Sequence, residues 1–265
     1  MKLNALLAIE QHSKTVYSQS ISQLVSIFKS KQGSFRGEHK TSVPREGYNL
    51  DYNKVSNKKV AFTVDEELDW FEKTIIPCLK NAFNKEATNS KGAAKVELVV
   101  NGISFGKATA AELMHLKGLL NSENLKNVYN SIPVRSETEV YTLSANPDYA
   151  KRGIVETAMV SDVSKTTEKE EVIIKDPNLD PQHLPSNYNA KTTIKSRQVI
   201  MSDDTRQFFS GEWTLERRAD TLKFISDLRE AVTKALQEVN DCEVVHTELD
   251  VEKLIKAIHG DIIRK

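Results

Sequence analysis

The stretch Val100-Asn-Gly-Ile-Ser-Phe-Gly-Lys-Ala-Thr-Ala-Ala-Glu112 comes nearest to a recognised chemical motif in this chain. A phosphate-binding loop needs glycines that let backbone N–H groups converge, a lysine for the phosphate charge, and a hydroxyl directly after it for magnesium. Between Gly102 and Gly106 the spacing is one residue short, Phe105 adds bulk, and Ala108 stands where the hydroxyl belongs. A plainer reading accounts for the same residues. Asn101-Gly102 is the preferred pair for a tight hairpin turn, and Thr109 with Glu112 has the spacing of a capping box, in which side chain and backbone satisfy each other at a helix start.

Other reactive sets are also incomplete. The histidines His12, His39, His115, His183, His246 and His259 are scattered and form no His-x-x-x-His pair, and Cys78 and Cys242 lack the short paired spacing of a zinc site. Both cysteines read as free thiols of a reducing cytoplasm. A serine hydrolase presents its nucleophile at a glycine-flanked elbow; Ser210-Gly211 precedes a helical stretch, but Gly-x-Ser-x-Gly is absent. Adjacent acids such as Asp203-Asp204 hold magnesium when further ligands converge on them in space, which leaves a metal-dependent hydrolase or nuclease as one reading. No catalytic residue, metal ligand or cofactor is assigned. Phe208, Phe209 and Trp213, in Phe-Phe-Ser-Gly-Glu-Trp-Thr, are candidates for an interface, or else fasten a helix start to a sheet.

The most suggestive surface is residues 29–59, where Lys29, Lys31, Arg36, Lys40, Arg45, Lys54, Lys58 and Lys59 outnumber Glu38, Glu46 and Asp51, with Phe35, Tyr48 and Tyr52 interleaved. Cations grip a phosphate backbone while rings stack on bases, so Phe35, Arg36, Lys40, Arg45, Tyr48, Lys58 and Lys59 are the candidates for binding single-stranded nucleic acid. The competing reading is a solvated loop, or an arm that packs on a neighbouring subunit. Whole-chain charge favours neither, since 37 basic residues balance 37 acidic ones and give no long-range steering.

The elements that must position these residues follow from periodicity. Leu3, Leu6, Leu7 and Ile9 start a helix that Val16, Ile21, Leu24, Val25 and Phe28 resume after a polar break near Ser13, so 1–33 reads as one broken helix or two, forming a protruding arm. Residues 34–59 lose periodicity and read as a long loop or loose hairpin. Thr63-Val-Asp-Glu66 opens a second helix, which Pro77 should kink or break. A leucine stripe gives a helix over about 110–129. Short β-branched runs at 140–143, 154–160, 172–174, 192–194 and 199–201 predict an antiparallel sheet with long connections. Leu215 to Val239 form a long helix, Cys242 to Val245 a brief extended link, and Val251 to Ile258 a last short helix. The sum is a single α+β domain over 1–265: N-terminal helices, a central antiparallel sheet with long loops, and a C-terminal long helix plus short helix. Glu10, Gln11 and His12 interrupt any signal-peptide core, and no run approaches the length of a membrane span, so a soluble cytoplasmic protein is expected.

Met1 to Glu10, His39-Lys-Thr-Ser-Val-Pro44 followed by Lys58-Lys59-Val60, Val99-Val-Asn-Gly102, Ile132-Pro133 and Gly211-Glu-Trp213 together resemble a family of bacterial proteins of unknown function. The resemblance implies one folded unit and carries no activity, cofactor or site. With contact surfaces abundant and no converging reactive set, the expectation is a non-enzymatic protein that binds or assembles with itself as a homo-oligomer. Nucleic acid is the alternative partner, and no membrane is expected.

Overall fold

In a computed structural model, which describes residues 3–48, 54–174 and 191–241, the fold is α+β with antiparallel sheets, as expected. In chain order the elements are α1 (Leu3–Ser30), β1 (Arg36–Pro44), β2 (Lys54–Lys58), α2 (Val64–Asn89), β3 (Lys95–Val100), β4 (Ile103–Thr109), α3 (Ala110–Asn121), α4 (Glu123–Asn130), β5 (Tyr141–Leu143), α5 (Pro147–Lys151), β6 (Val155–Thr157), β7 (Val160–Ile173), β8 (Thr192–Ser210) and α6 (Leu215–Val239). The link at Cys242 to Val245 and the last short helix expected from the sequence lie outside the described residues.

The N-terminal helix is unbroken and does not protrude. Hydroxyls of Ser20 and Ser22 return to carbonyls one turn back, so these two are satisfied within the helix. It lies antiparallel to α2, tied by Lys85 Nζ to Glu10 Oε1 at 2.8 Å and Asn81 Nδ2 to Ser13 Oγ at 3.2 Å. Ile21, Leu24 and Phe28 of α1 enter a core with Phe35, Val64, Phe71, Val128, Ile132 and Trp213. α2 runs unbroken through Pro77. That proline is on the exposed side, where water can serve the carbonyl that its missing N–H releases.

Local signals at 63–66 and 101–112 are realised as read. Glu66 N donates to Thr63 Oγ1 at 3.2 Å and Thr63 N to Glu66 Oε2 at 3.1 Å; Thr109 and Glu112 repeat the exchange. Asn101 and Gly102 turn with φ of 50° and 80°. Gly106 lies within β4, and Lys107 is opposite Glu97 across the hairpin, so the two glycines do not converge on a phosphate. The leucine stripe proves to be two helices: Ser122 is extended at ψ 126°, ending α3 and starting α4, and Arg229 of α6 donates to the freed Leu120 carbonyl at 2.6 and 3.0 Å. β3, α3 and α6 enclose a second core of Val96, Leu98, Val100, Leu113, Leu120, Val232 and Leu236.

The larger sheet has the order β2-β1-β8-β6-β5, with β7 also on β8. Of the two readings of residues 34–59, the described residues bear out the loose hairpin: β1 pairs antiparallel with β2 on one side and with β8 on the other. The run at 154–160 holds the short strand β6 and the start of β7, while those at 172–174, 192–194 and 199–201 are corrected to parts of two long strands, β7 of 14 residues and β8 of 19. Where β8 ends, Gly211 crosses the start of α2, with its carbonyl 2.9 Å from Val64 N. A Cβ on Gly211 would meet the Phe62 carbonyl oxygen at 2.8 Å and Thr63 Cα at 3.0 Å. Two of these obstructing atoms are backbone and cannot swing away, so Gly211→Ala is expected to cost about 2 kcal/mol or more. An unchanged denaturant midpoint would contradict this close crossing.

Candidate interaction surface

Three of the cations singled out from the sequence, Arg36, Lys40 and Arg45, sit on β1 and its outgoing turn, and the acids that meet them come from residues 203–212. Arg36 Nε donates to Glu212 Oε1 at 2.8 Å, and Lys40 Nζ lies 2.6 Å from Asp204 Oδ2. Arg45 grips Asp203 with two bonds of 2.7 and 2.9 Å, while its own N–H donates to the Met201 carbonyl at 2.9 Å. Tyr48 donates its hydroxyl to Glu168 Oε1 at 2.6 Å. The register explains the selection: β1 opposes β8 from Arg36↔Ser210 to Pro44↔Ser202, and directly opposed or diagonal residues are within side-chain reach.

Asp204 is the centre of this arrangement. Its side chain is 0% exposed and the Lys40 side chain 25% exposed, and the hydroxyls of Ser164 and Ser202 donate to its two oxygens at 2.6 and 2.9 Å. Burial alone would raise its pKa. The Lys40 ammonium and the hydroxyls of Ser164, Ser42 and Ser202 outweigh burial and hold the carboxyl well below the usual range. At Glu212, burial prevails over Arg36 and Ser210, and the pKa is raised. Asp203 and Asp204 do not form a metal pair, because neighbours on a strand point to opposite faces, here one to Arg45 and the other to Lys40. Among the described residues no group of three or more metal-ligating side chains converges.

The remaining predicted site residues do not gather into one surface. Phe35 is 0% exposed in the core and offers no ring for stacking. Lys58 and Lys59 are exposed at the end of β2. Phe208 and Phe209 are half-buried, and Phe209 meets Tyr149 edge-on at 5.4 Å. Trp213 is only 8% exposed; its Nε1–H donates to Asp65 Oδ1 at 2.9 Å, and Arg217 lies over its ring at 4.1 Å. Phe209 and Trp213 thus fasten the end of the sheet to α5 and α2.

The sequence disclosed the outer part of β7 and β8 only in pieces, as the runs at 172–174, 192–194 and 199–201, and not the continuous ribbon they belong to. Beyond Ser164↔Ser202 the pairing skips Met201 and continues from Lys165↔Ile200 to Ile173↔Thr192. This bulge marks where β1 stops and, among the described residues, a two-stranded ribbon goes on alone for roughly 25 Å, at ~3.3 Å per residue. One ribbon face sets Glu168 opposite Arg197 and Glu170 opposite Lys195; the other carries Val163, Ile173, Ile194 and Ile200 with Lys165, Lys169 and Glu171 between them. Ile173 and Ile194 are 60% and 62% exposed. Over 160–173 and 192–206 the acids Asp162, Glu168, Glu170, Glu171, Asp203 and Asp204 nearly balance Lys165, Lys169, Lys195, Arg197 and Arg206. Such a surface suits protein better than a polyanion.

A separate cleft of about 240 Å³ between α1, α2 and α3 is lined by Leu6, Tyr17, Cys78, Leu79, His115 and Leu119 among others. At its rim Lys14 and Lys85 hydrogen-bond Glu10 and pull its pKa down to about 2. His115 packs edge-on against Phe83 at 5.3 Å. The charged groups of the rim thus serve one another. Among the described residues no helix is long and apolar enough to cross a membrane.

A family model described as "Family of unknown function (DUF7873)" matches residues 1–260, in agreement with the resemblance that runs along the chain. None of the curated proteins and none of the solved structures matches it.

Proposed function

Because the chain belongs to this family of unknown function and inherits no activity from it, we propose from its surfaces that the protein is a non-enzymatic binding protein that assembles with copies of itself through the β7–β8 ribbon. The observation that carries this reading is the ribbon beyond Met201, exposed on both faces with isoleucines at its outer end. Two strands alone are marginally stable in water, and a third strand or a packed face stabilises them. A neighbouring copy would supply either. The basic residues of β1 give less support to nucleic-acid binding, since Arg36, Lys40 and Arg45 are already engaged with carboxylates. With only two cysteines, the chain suits a reducing cytoplasm, the compartment this reading assumes.

Light scattering on the eluting protein across a concentration series tests this directly. The expected mass is at least twice the 29.8 kDa of one chain, falling on dilution. A mass of one chain at every concentration would sink the proposal.

A further inference from the structure

Resting on that reading, the geometry points to one particular contact: we infer that the outer edge of β7 pairs antiparallel with the same edge of a second copy, about a twofold axis at Glu168. The ribbon has two candidate edges, because among the described residues β7 is bonded only to β8 and β8 outgrows β1 beyond Ser202. Between Thr192 and Ser202 the β8 edge carries Lys195 and Arg197 and no acid, so pairing it with itself about its middle opposes like charges. The β7 edge carries both signs.

A closed pair of identical strands has restricted registers. A twofold axis normal to the sheet keeps every side chain on its own face, so residue i can oppose only a residue an even number of positions away. Centring on Thr167 sets Lys165 against Lys169, and centring on Lys169 sets that lysine against its own copy. Centring on Glu168 instead opposes Lys165 with Glu171 twice and Val163 with Ile173 twice. All four residues lie on the ribbon face whose charges meet only Ile200, Ser196 and Ile194 across β8. The acid that meets its own copy on the axis is Glu168, which already accepts the Tyr48 hydroxyl and has Arg197 at 3.7 Å. Opposite charges directly across a strand pair are stabilising and like charges destabilising. The register thus supplies charge partners to the face that has none across the ribbon, and covers its apolar ends.

Charge reversal on the full chain tests this. K165E and E171K are each expected to raise the concentration at which half the protein is dimeric by roughly tenfold or more, since each places like charges at two symmetric positions. The double variant K165E/E171K should return to the wild-type midpoint. Mixing the two single variants should give a mixed dimer as tight as wild type, which a merely misfolded variant could not do. A wild type that dimerises while both single variants leave its midpoint unmoved overturns this contact and leaves self-association standing. Growth past a dimer assigns head-to-tail pairing of β7 with β8 and also overturns it. A wild type that is monomeric throughout removes both proposals.

Discussion

Asp204→Asn lowers the stability of the folded chain by about 3 kcal/mol at neutral pH, the low end of what removing one partner of a buried ion pair costs. Asparagine keeps the volume and can still meet the serine hydroxyls, but it leaves the Lys40 ammonium, 25% exposed, against a neutral amide. The pH dependence separates this cause from a packing defect. In the unfolded chain the carboxyl titrates near ~3.9; in the fold it titrates lower. Its contribution is therefore present in full above the unfolded value and is lost as pH falls below about 4 toward the folded value. The gap in thermal midpoint between wild type and variant is widest at pH 7 and narrows toward pH 2.5. A gap of constant width across that range would assign the loss to shape instead of charge.

Trp213→Ala has a comparable effect by another route, about 3–5 kcal/mol from the deleted indole and the cavity it leaves. The ring closes the core shared by α1, α2 and α4, and its N–H is held by Asp65 at 2.9 Å. Trp213→Phe retains most of the apolar volume and loses the N–H, while Asp65 Oδ1 keeps its bond from Arg217 at 2.8 Å, so it should cost only about 1 kcal/mol. The assembled mass discriminates between the two roles that its sequence context allows. An anchoring tryptophan changes the unfolding midpoint and leaves the mass of the surviving folded protein unaltered. A change of mass at unchanged stability would return Trp213 to an interface.

Features governed by a few neighbouring residues were legible in the sequence. Thr63 with Glu66, Thr109 with Glu112, and Asn101-Gly102 each express a rule that acts within four residues, and each is realised. The apolar faces of α1, α2 and α6 were legible for the same reason, since burial on one side imposes a period. The cations of β1 were found, but not their counterions, because Arg45 and Asp203 are 158 positions apart and Arg36 and Glu212 are 176 apart. Sequence order says nothing about which distant acid a strand will oppose. The continuity of the ribbon escaped notice for a different reason, although the runs at 172–174, 192–194 and 199–201 lie within it. Both its faces meet solvent, so no alternation of apolar and polar residues marks Ser161 to Glu171 as a strand. The β-branched residues at 172–174, 192–194 and 199–201 marked the ends of the ribbon strands, since they suit extended backbone, but gave no sign that the strands run on between them.

β8 is one uninterrupted strand whose outer half belongs to the ribbon and whose inner half is opposed by β1 over nine residues. Ladder bonds run perpendicular to the strands they join. Tension applied along the ribbon would therefore strain the β1–β8 bonds in shear, all sharing the load, whereas a sideways tug would open them one after another like a zip. The same protein would resist extension strongly in one direction and peel easily in the other.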